Sequence, residues 1–259
     1  AIGEGEVVRR NGKRVSAAQW LSLHSISPLT LEPKEGLSLL NGTSYSTAIA
    51  ALAVYDLAYL FRLTIAIAGL AAEALRCVRQ AFDPQTHYLK GHYSERLIAA
   101  AVRATLYDSS LPFAIEPLRR AAPGEQEASS EREVPRELMI QDAYSVRAIP
   151  QGFGIFLDEL TRARRTIEVE ANAVSDNPLI DVERRAILQG ANFMATRITD
   201  ACDKLKPNLA YAAKWLHALL ARLTNDVHSK GLPRNLIRDY HSQNGLREFS
   251  LAVSDLAAA

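Results

Sequence analysis

The segment from Ala48 to Leu75, AIAALAVYDLAYLFRLTIAIAGLAAEAL, is too long for any strand and carries only Asp56, Arg62 and Glu73 as charges. Charges near the centre of a membrane span cost about 2.5–3.5 kcal/mol each on insertion. A helix that is apolar nearly all round, with a few charges, is better placed at the buried centre of a large bundle than across a bilayer. The chain must therefore supply other long helices to surround it.

The remaining pattern supplies them. From Gln151 to Val174, the residues Phe153, Phe156, Leu157, Leu160, Ala163, Ile167 and Ala171 recur at three- and four-residue spacing, which predicts a second long helix ended by Asn177-Pro178. A third is expected from Phe193 to about Thr224, kinked at Pro207. Ser94 to Tyr107 reads as a shorter helix with Ser94 as N-cap, and Lys34 to about Phe82 as mostly helix with a break near Asn41-Gly42. Two small hairpins complete the list. Val7-Val8 and Val15 flank Asn11-Gly12, the preferred type I′ turn, and Leu179–Val182 and Ala186–Leu188 flank Glu183-Arg184-Arg185. No βαβ alternation is present. The expected fold is an all-α long-helix bundle over residues 1–259, with an exposed, Pro-, Glu- and Ser-rich connection at about 112–138.

Composition closes several functional classes. A net charge of +1 supports neither nucleic acid nor an anionic membrane as partner. Cys77 and Cys202 stand alone in apolar helical patterns, so buried thiols in a reducing cytoplasm are expected and no metal site is. The histidines form no HExxH and no Cys/His cluster, and His217 reads as a core or interface residue. Neither a Gly-rich phosphate loop nor a GxSxG elbow occurs. Any chemistry here is unconventional.

Polar residues gather instead at four helix ends. Leu39–Thr43 opens the most apolar helix, and Asn41 there either caps it or offers its amide to a ligand. QDAYSVRAIPQ, residues 141–151, sets Gln141, Tyr144 and Arg147 at three-residue spacing, on one face if the stretch is helical. Arginine is the natural clamp for a carboxylate, because its fork gives two charge-assisted hydrogen bonds. Asn172–Pro178 forms a polar helix exit, and Asn192-Phe193 enters the next helix. Each cluster alone reads most simply as a cap or turn; together they fit a shared cavity better.

EGLSLLNGTSYST (35–47), QDAYSVRAIPQ, EANAVSDNPLI (170–180) and GANF (190–193), in this order and spacing, resemble the aromatic amino acid ammonia-lyase family, which includes the histidine, phenylalanine and tyrosine ammonia-lyases and related aminomutases. The resemblance implies a homotetramer with sites shared between subunits. It implies loss of ammonia from an aromatic L-amino acid, or a 2,3-amino shift in it, by a protein-derived electrophile, 4-methylideneimidazol-5-one. Carried over, Asn41 would contact the electrophile or the substrate amino acid, Gln141 would bond near the carboxylate and Tyr144 would stand beside the electrophile. Arg147 would clamp the carboxylate, and Phe193 would pack on the prosthetic group or the substrate ring. Asn41, Tyr144 and Phe193 are thus the residues expected to meet the cofactor.

The departures are also informative. The Ala-Ser-Gly that forms the electrophile is absent from these 259 residues, the closest match being Ala128-Ser129-Ser130. An incomplete piece of a larger lyase subunit is therefore expected, with the electrophile supplied by sequence outside this chain. The alternative is a non-catalytic relative acting as a binding or scaffolding subunit. A fumarase/aspartase-type lyase would need a Ser-rich loop with Met-Pro and Lys, which is missing. Ala143 and Ala191 replace a usual Pro and Gly. Met194, where histidine lyases usually carry His, weighs against histidine as substrate.

Overall fold

The computed structural model describes residues 2–112, 141–239 and 244–258, so the connection expected at about 112–138 lies outside the described residues apart from Pro112. The elements run β1 (Glu6–Val8), β2 (Arg14–Ser16), α1 (Ala17–Leu23), α2 (Glu35–Asn41), α3 (Ser44–Ala74), α4 (Pro84–Lys90), α5 (Tyr93–Thr105), α6 (Tyr144–Arg147), α7 (Ile149–Ala171), β3 (Leu179–Asp181), β4 (Ala186–Leu188), α8 (Thr196–Leu223) and α9 (Arg247–Ala258), with short 3-10 turns at Arg79–Phe82 and Arg234–Leu236. The protein is all-α with two isolated antiparallel hairpins, as expected. Its contacts divide it into two compact units. Unit 1 is 1–47 with 170–195, and unit 2 is 48–169 with 196–259.

In unit 1, β1 pairs with β2 in the register Val7 to Val15. Gly12 has φ +77° and Asn11 is not left-handed. The Gly12 N–H donates to Arg9 O, and the Arg9 N–H to Lys13 O. The connection is therefore not the type I′ turn. A turn of ordinary hand followed by a left-handed glycine closes this hairpin, the solution for a slightly longer loop. The second hairpin, β3 with β4, pairs Ile180 with Ile187.

Unit 2 holds the core. Buried side chains of α3, α5, α7 and α8 meet there, among them Phe61, Val102, Phe153, Phe156 and Leu219. Phe61 stands edge-on to Phe156, with ring centroids 4.9 Å apart, and Phe153 lies 5.9 Å from Trp215, both favourable aromatic geometries. Gly152 permits this packing, because a Cβ there would lie 2.6 Å from the Trp215 ring. The helices are long, with 31 residues in α3, 23 in α7 and 28 in α8, the last running through Pro207.

Several boundaries differ from expectation. The Lys34–Phe82 stretch breaks at Gly42 as expected, but its second helix stops at Ala74 rather than Phe82, and α7 runs Ile149–Ala171 rather than Gln151–Val174. The left-handed Arg76 and a 3-10 turn follow, and Asp83 caps α4 through the Gln85 N–H. Ser94 does not cap α5. His92 holds that position, and the Ser94 hydroxyl donates to Asp158 at 2.9 Å. Phe193 lies before α8 rather than in it.

α3 is long and apolar enough to cross a membrane by length and composition alone. Its inner face, including Ala50, Val54, Phe61, Ile65, Ala68 and Ala72, is buried in the core. Its outer face leaves Ile49, Leu52, Tyr55, Tyr59, Leu63 and Leu70 exposed, so one chain by itself covers only one side of the helix.

Both cysteines are free. Burial, reinforced by the Asp142 carboxylate, pushes the Cys77 thiol up to about 12. Alkylation with iodoacetamide at pH 8 should leave Cys77 unmodified in the native protein and modify it after denaturation, which peptide mass mapping will read.

Candidate functional site

The stretch 141–151 is organised from beneath. Asp142, 6% exposed, accepts from the Val78 N–H at 2.6 Å and from Lys230 Nζ at 2.7 Å. Lys230 also donates to Arg76 O, so one ion pair joins three segments of unit 2. Trp215 Nε1 donates to Ser145 O at 2.8 Å, fixing the same stretch from α8. One turn of helix, α6, follows, and Gln141 precedes it.

Gln141, Tyr144 and Arg147 do meet, although only the last two are helical. The Arg147 guanidinium lies over the Tyr144 ring, 4.2 Å from its centroid, and donates to Gln141 Oε1. Arg147 Nε is buried without a hydrogen-bond partner, and Arg147 makes no salt bridge among the described residues. A guanidinium held by a phenol and an amide keeps its charge and part of its fork for an incoming carboxylate. Tyr144 is 72% exposed and borders a cleft of about 730 Å³ lined by Gln151, Ile155, Asn208, Tyr211 and Trp215. Gln151 Oε1 is buried there without a partner. A cavity of similar size around Arg79, Gln85, Arg103 and Tyr107 contains none of the expected site residues.

The other clusters lie in unit 1 and bond to one another. Asn41 is the last residue of α2, and its Nδ2 lies 3.4 Å from Asp176 Oδ1 rather than capping α3. Asp176 also accepts from Lys34 Nζ at 2.5 Å, Ser38 Oγ at 2.6 Å and the Asn177 N–H at 2.7 Å. The Thr43 N–H donates to Ser175 Oγ, and Thr43 Oγ1 donates to Glu170 at 2.7 Å. Gly42 allows this approach, since a Cβ would lie 2.9 Å from Ser175 O. Asn177 Oδ1 accepts from the Gly190 N–H at 2.7 Å, and Asn192 Nδ2 donates to Val174 O. Three of the four polar clusters thus form one network. Phe193 follows it, partly exposed.

The spacing of Asn41, Gln141, Tyr144 and Arg147 was visible in the sequence. Asp142, Lys230 and Trp215, which hold the second cluster, were not singled out. The adjacency of Asp142 to Gln141 was the available signal, because an aspartate inside an otherwise uncharged motif needs a partner. No group of three or more potential metal ligands occurs among the described residues.

These clusters sit in a chain whose whole length, residues 1–259, matches the family profile described as aromatic amino acid lyase. The chain belongs to the aromatic amino acid lyase family. It is 36% identical over 260 residues to a histidine ammonia-lyase of Burkholderia mallei, covering 99% of this chain and 46% of that protein. It is 35% identical over 227 residues to a phenylalanine ammonia-lyase of Nostoc punctiforme, covering 88% of this chain and 38% of that protein. The tyrosine aminomutase of Streptomyces globisporus superposes with a TM-score of 0.85 at 30% identity, over 99% of this chain and 49% of that one. The chain thus spans about half the length of these relatives, or less. The family is one of ammonia-lyases and aminomutases that use 4-methylideneimidazol-5-one.

Two measurements test the anchoring. Asp142→Ala strands the Lys230 ammonium, and urea denaturation should show a loss of about 3–5 kcal/mol, the usual cost of breaking a buried ion pair from one side. The Lys34 ammonium, helped by Ser38 and the Asn177 N–H, holds the Asp176 carboxyl well below the usual carboxylate range. A depressed folded value contributes stability that is complete above the ordinary aspartate value, about 3.9. That stability is lost as pH falls from there through the lower folded value. Asp176→Asn should therefore be less stable than the parent at pH 6, and the gap should narrow on acidification below pH ~4, as thermal unfolding across pH will show.

Proposed function

We propose that this chain is part of an enzyme that eliminates ammonia from an aromatic L-amino acid, or moves its amino group between adjacent carbons. The observation that carries the reading is the Arg147 guanidinium, which among the described residues is supported by the neutral Tyr144 and Gln141 and has an unpartnered Nε. Such a group recognises a carboxylate by two parallel hydrogen bonds. The family membership supplies the rest of the substrate class.

The donor set fits the family's prosthetic group. An electrophile made from backbone amides asks for neutral hydrogen-bonding partners and an aromatic neighbour, and Asn41, Tyr144 and Phe193 are of those types. When bound, 4-methylideneimidazol-5-one supplies the electrophilic carbon that makes an amino group a leaving group. This chain's residues do the remainder: Arg147 binds and orients the carboxylate, Gln141 holds Arg147 in place, and Tyr144 offers a phenol at the mouth of the cleft. Phe193 supplies an aromatic face. The Ala-Ser-Gly source of the electrophile is not in these residues, so the full-length protein is the object to test.

The stripe of exposed apolar residues along α3 supports self-association. Ile49, Leu52, Tyr55, Tyr59 and Leu63 form a continuous apolar face along one side of a helix, more than isolated exposed side chains would. We assign it to a homotetramer whose sites are shared between subunits.

In the full-length protein, Arg147→Lys should lower kcat/KM for phenylalanine, tyrosine or histidine, whichever is turned over, by roughly 10–100-fold, the loss of a charged hydrogen bond. Unchanged kcat/KM would remove Arg147 from the site. An intact mass two waters below the translated sequence should accompany activity. Leu52→Glu with Tyr55→Glu should shift the sedimentation coefficient from tetramer towards smaller species; an unchanged tetramer would rule out α3 as the interface.

A further inference from the structure

Two residues of one short helix, and the residue that precedes it, converge on one carboxylate. Lys34, just before α2, and Ser38 and Asn41 within it stand at i, i+4 and i+7, and all three reach Asp176, at 2.5, 2.6 and 3.4 Å. The Asn177 N–H also donates to Asp176, at 2.7 Å. Lys34 takes a left-handed conformation, φ +76°, to enter this arrangement, an uncommon state for a side-chain-bearing residue. A carboxylate accepts hydrogen bonds and, when ionised, donates none. The Asn41 amide therefore turns its NH2 towards Asp176, which leaves Oδ1 directed away with no hydrogen bond among the described residues.

We infer that Asp176 is a positioning residue, fixing Asn41 as a hydrogen-bond acceptor whose ligand partner is an N–H donor, such as the amino group of an amino acid, and not a carboxylate. The inference rests on the functional reading above, in which the ligand carries an amino group. Lys34 and Ser38 keep Asp176 ionised and pointed at α2. The Lys34 ammonium holds the Asp176 carboxyl below the usual carboxylate range, which agrees with this, since its charged form persists well into acid. The structure shows why the aspartate is needed. An amide left to itself presents donor or acceptor with little preference, and a ligand would have to select between them.

The test is a double-mutant cycle in the full-length protein with Asp176→Asn, Asn41→Ala and the pair. An asparagine at 176 keeps the size but can donate as well as accept, so the Asn41 amide is free to turn. Asp176→Asn should lower kcat/KM by roughly tenfold, the scale for removing a group that orients a site residue. The same change in the Asn41→Ala background should cost less than about twofold, because the residue acted upon is gone. Urea denaturation of the same four proteins should also be non-additive, a readout that needs no turnover. Additive effects on kcat/KM would overturn the positioning role, and so would additive effects on stability. A fully active Asp176→Asn variant would overturn it as well. If the parent protein binds and turns over no aromatic amino acid, the functional reading falls first, whatever the stability cycle shows. A non-additive stability cycle would then leave Asp176 as a structural anchor of α2 alone.

Discussion

The apolar surplus of α3 sets the terms for everything else in this chain. A helix of 31 residues with so few charges buries one face against α5, α7 and α8 and still shows a second apolar face to its surroundings. Burial on the inner side favours folding by about 25 cal/mol per Å² of apolar surface. The same energy on the outer side is unused until another surface covers it. Within one chain, therefore, α3 keeps one apolar face packed and one uncovered. That construction also frees helix ends for polar chemistry, because the helix bodies are committed to packing.

Helix ends are the natural place for that chemistry. Each terminus carries backbone groups without intrahelical partners, and side chains placed there to satisfy them lie close to one another. In unit 1 the exit of α7, the entry of α3 and the segment before α8 satisfy each other through Thr43, Ser175, Asn177 and Asn192. In unit 2 the entry of α7 is held through Ser145 and Asp142. In both units the groups that satisfy a helix end also gather the polar side chains. For that reason each polar cluster, taken singly, is indistinguishable from a cap.

How much of this was legible in the sequence depends on the range of the interaction. α7 and α8 were readable because their apolar residues repeat every three or four positions, and α3 because nothing but a helix accommodates so long an apolar run. Boundaries set by distant partners were not. Ser94 satisfies every local rule for a cap, yet its hydroxyl is taken by Asp158 on another helix. The type I′ turn failed for a local reason: the loop closes from Arg9 to Lys13, one step wider than Asn-Gly alone suggests. Arg147 was legible as a candidate for a carboxylate clamp from its residue type. That Asp142, five residues before it, would be taken by Lys230 from 88 residues away is something no local pattern records.

This last arrangement recurs in both polar motifs. Each contains an aspartate, and in each the aspartate is matched by a lysine, Asp142 by Lys230 and Asp176 by Lys34. A carboxylate left unpaired beside Arg147 would compete for the guanidinium and repel an acid ligand. One left unpaired beside Asn41 would be a partly buried charge without compensation. Pairing each aspartate locally uses its hydrogen-bonding direction while cancelling its charge. Arg147 then keeps its positive charge uncancelled, and the Asn41 amide stays neutral and oriented. In each motif the aspartate orders its neighbours without leaving an uncompensated, poorly hydrated charge, which would be the costlier arrangement.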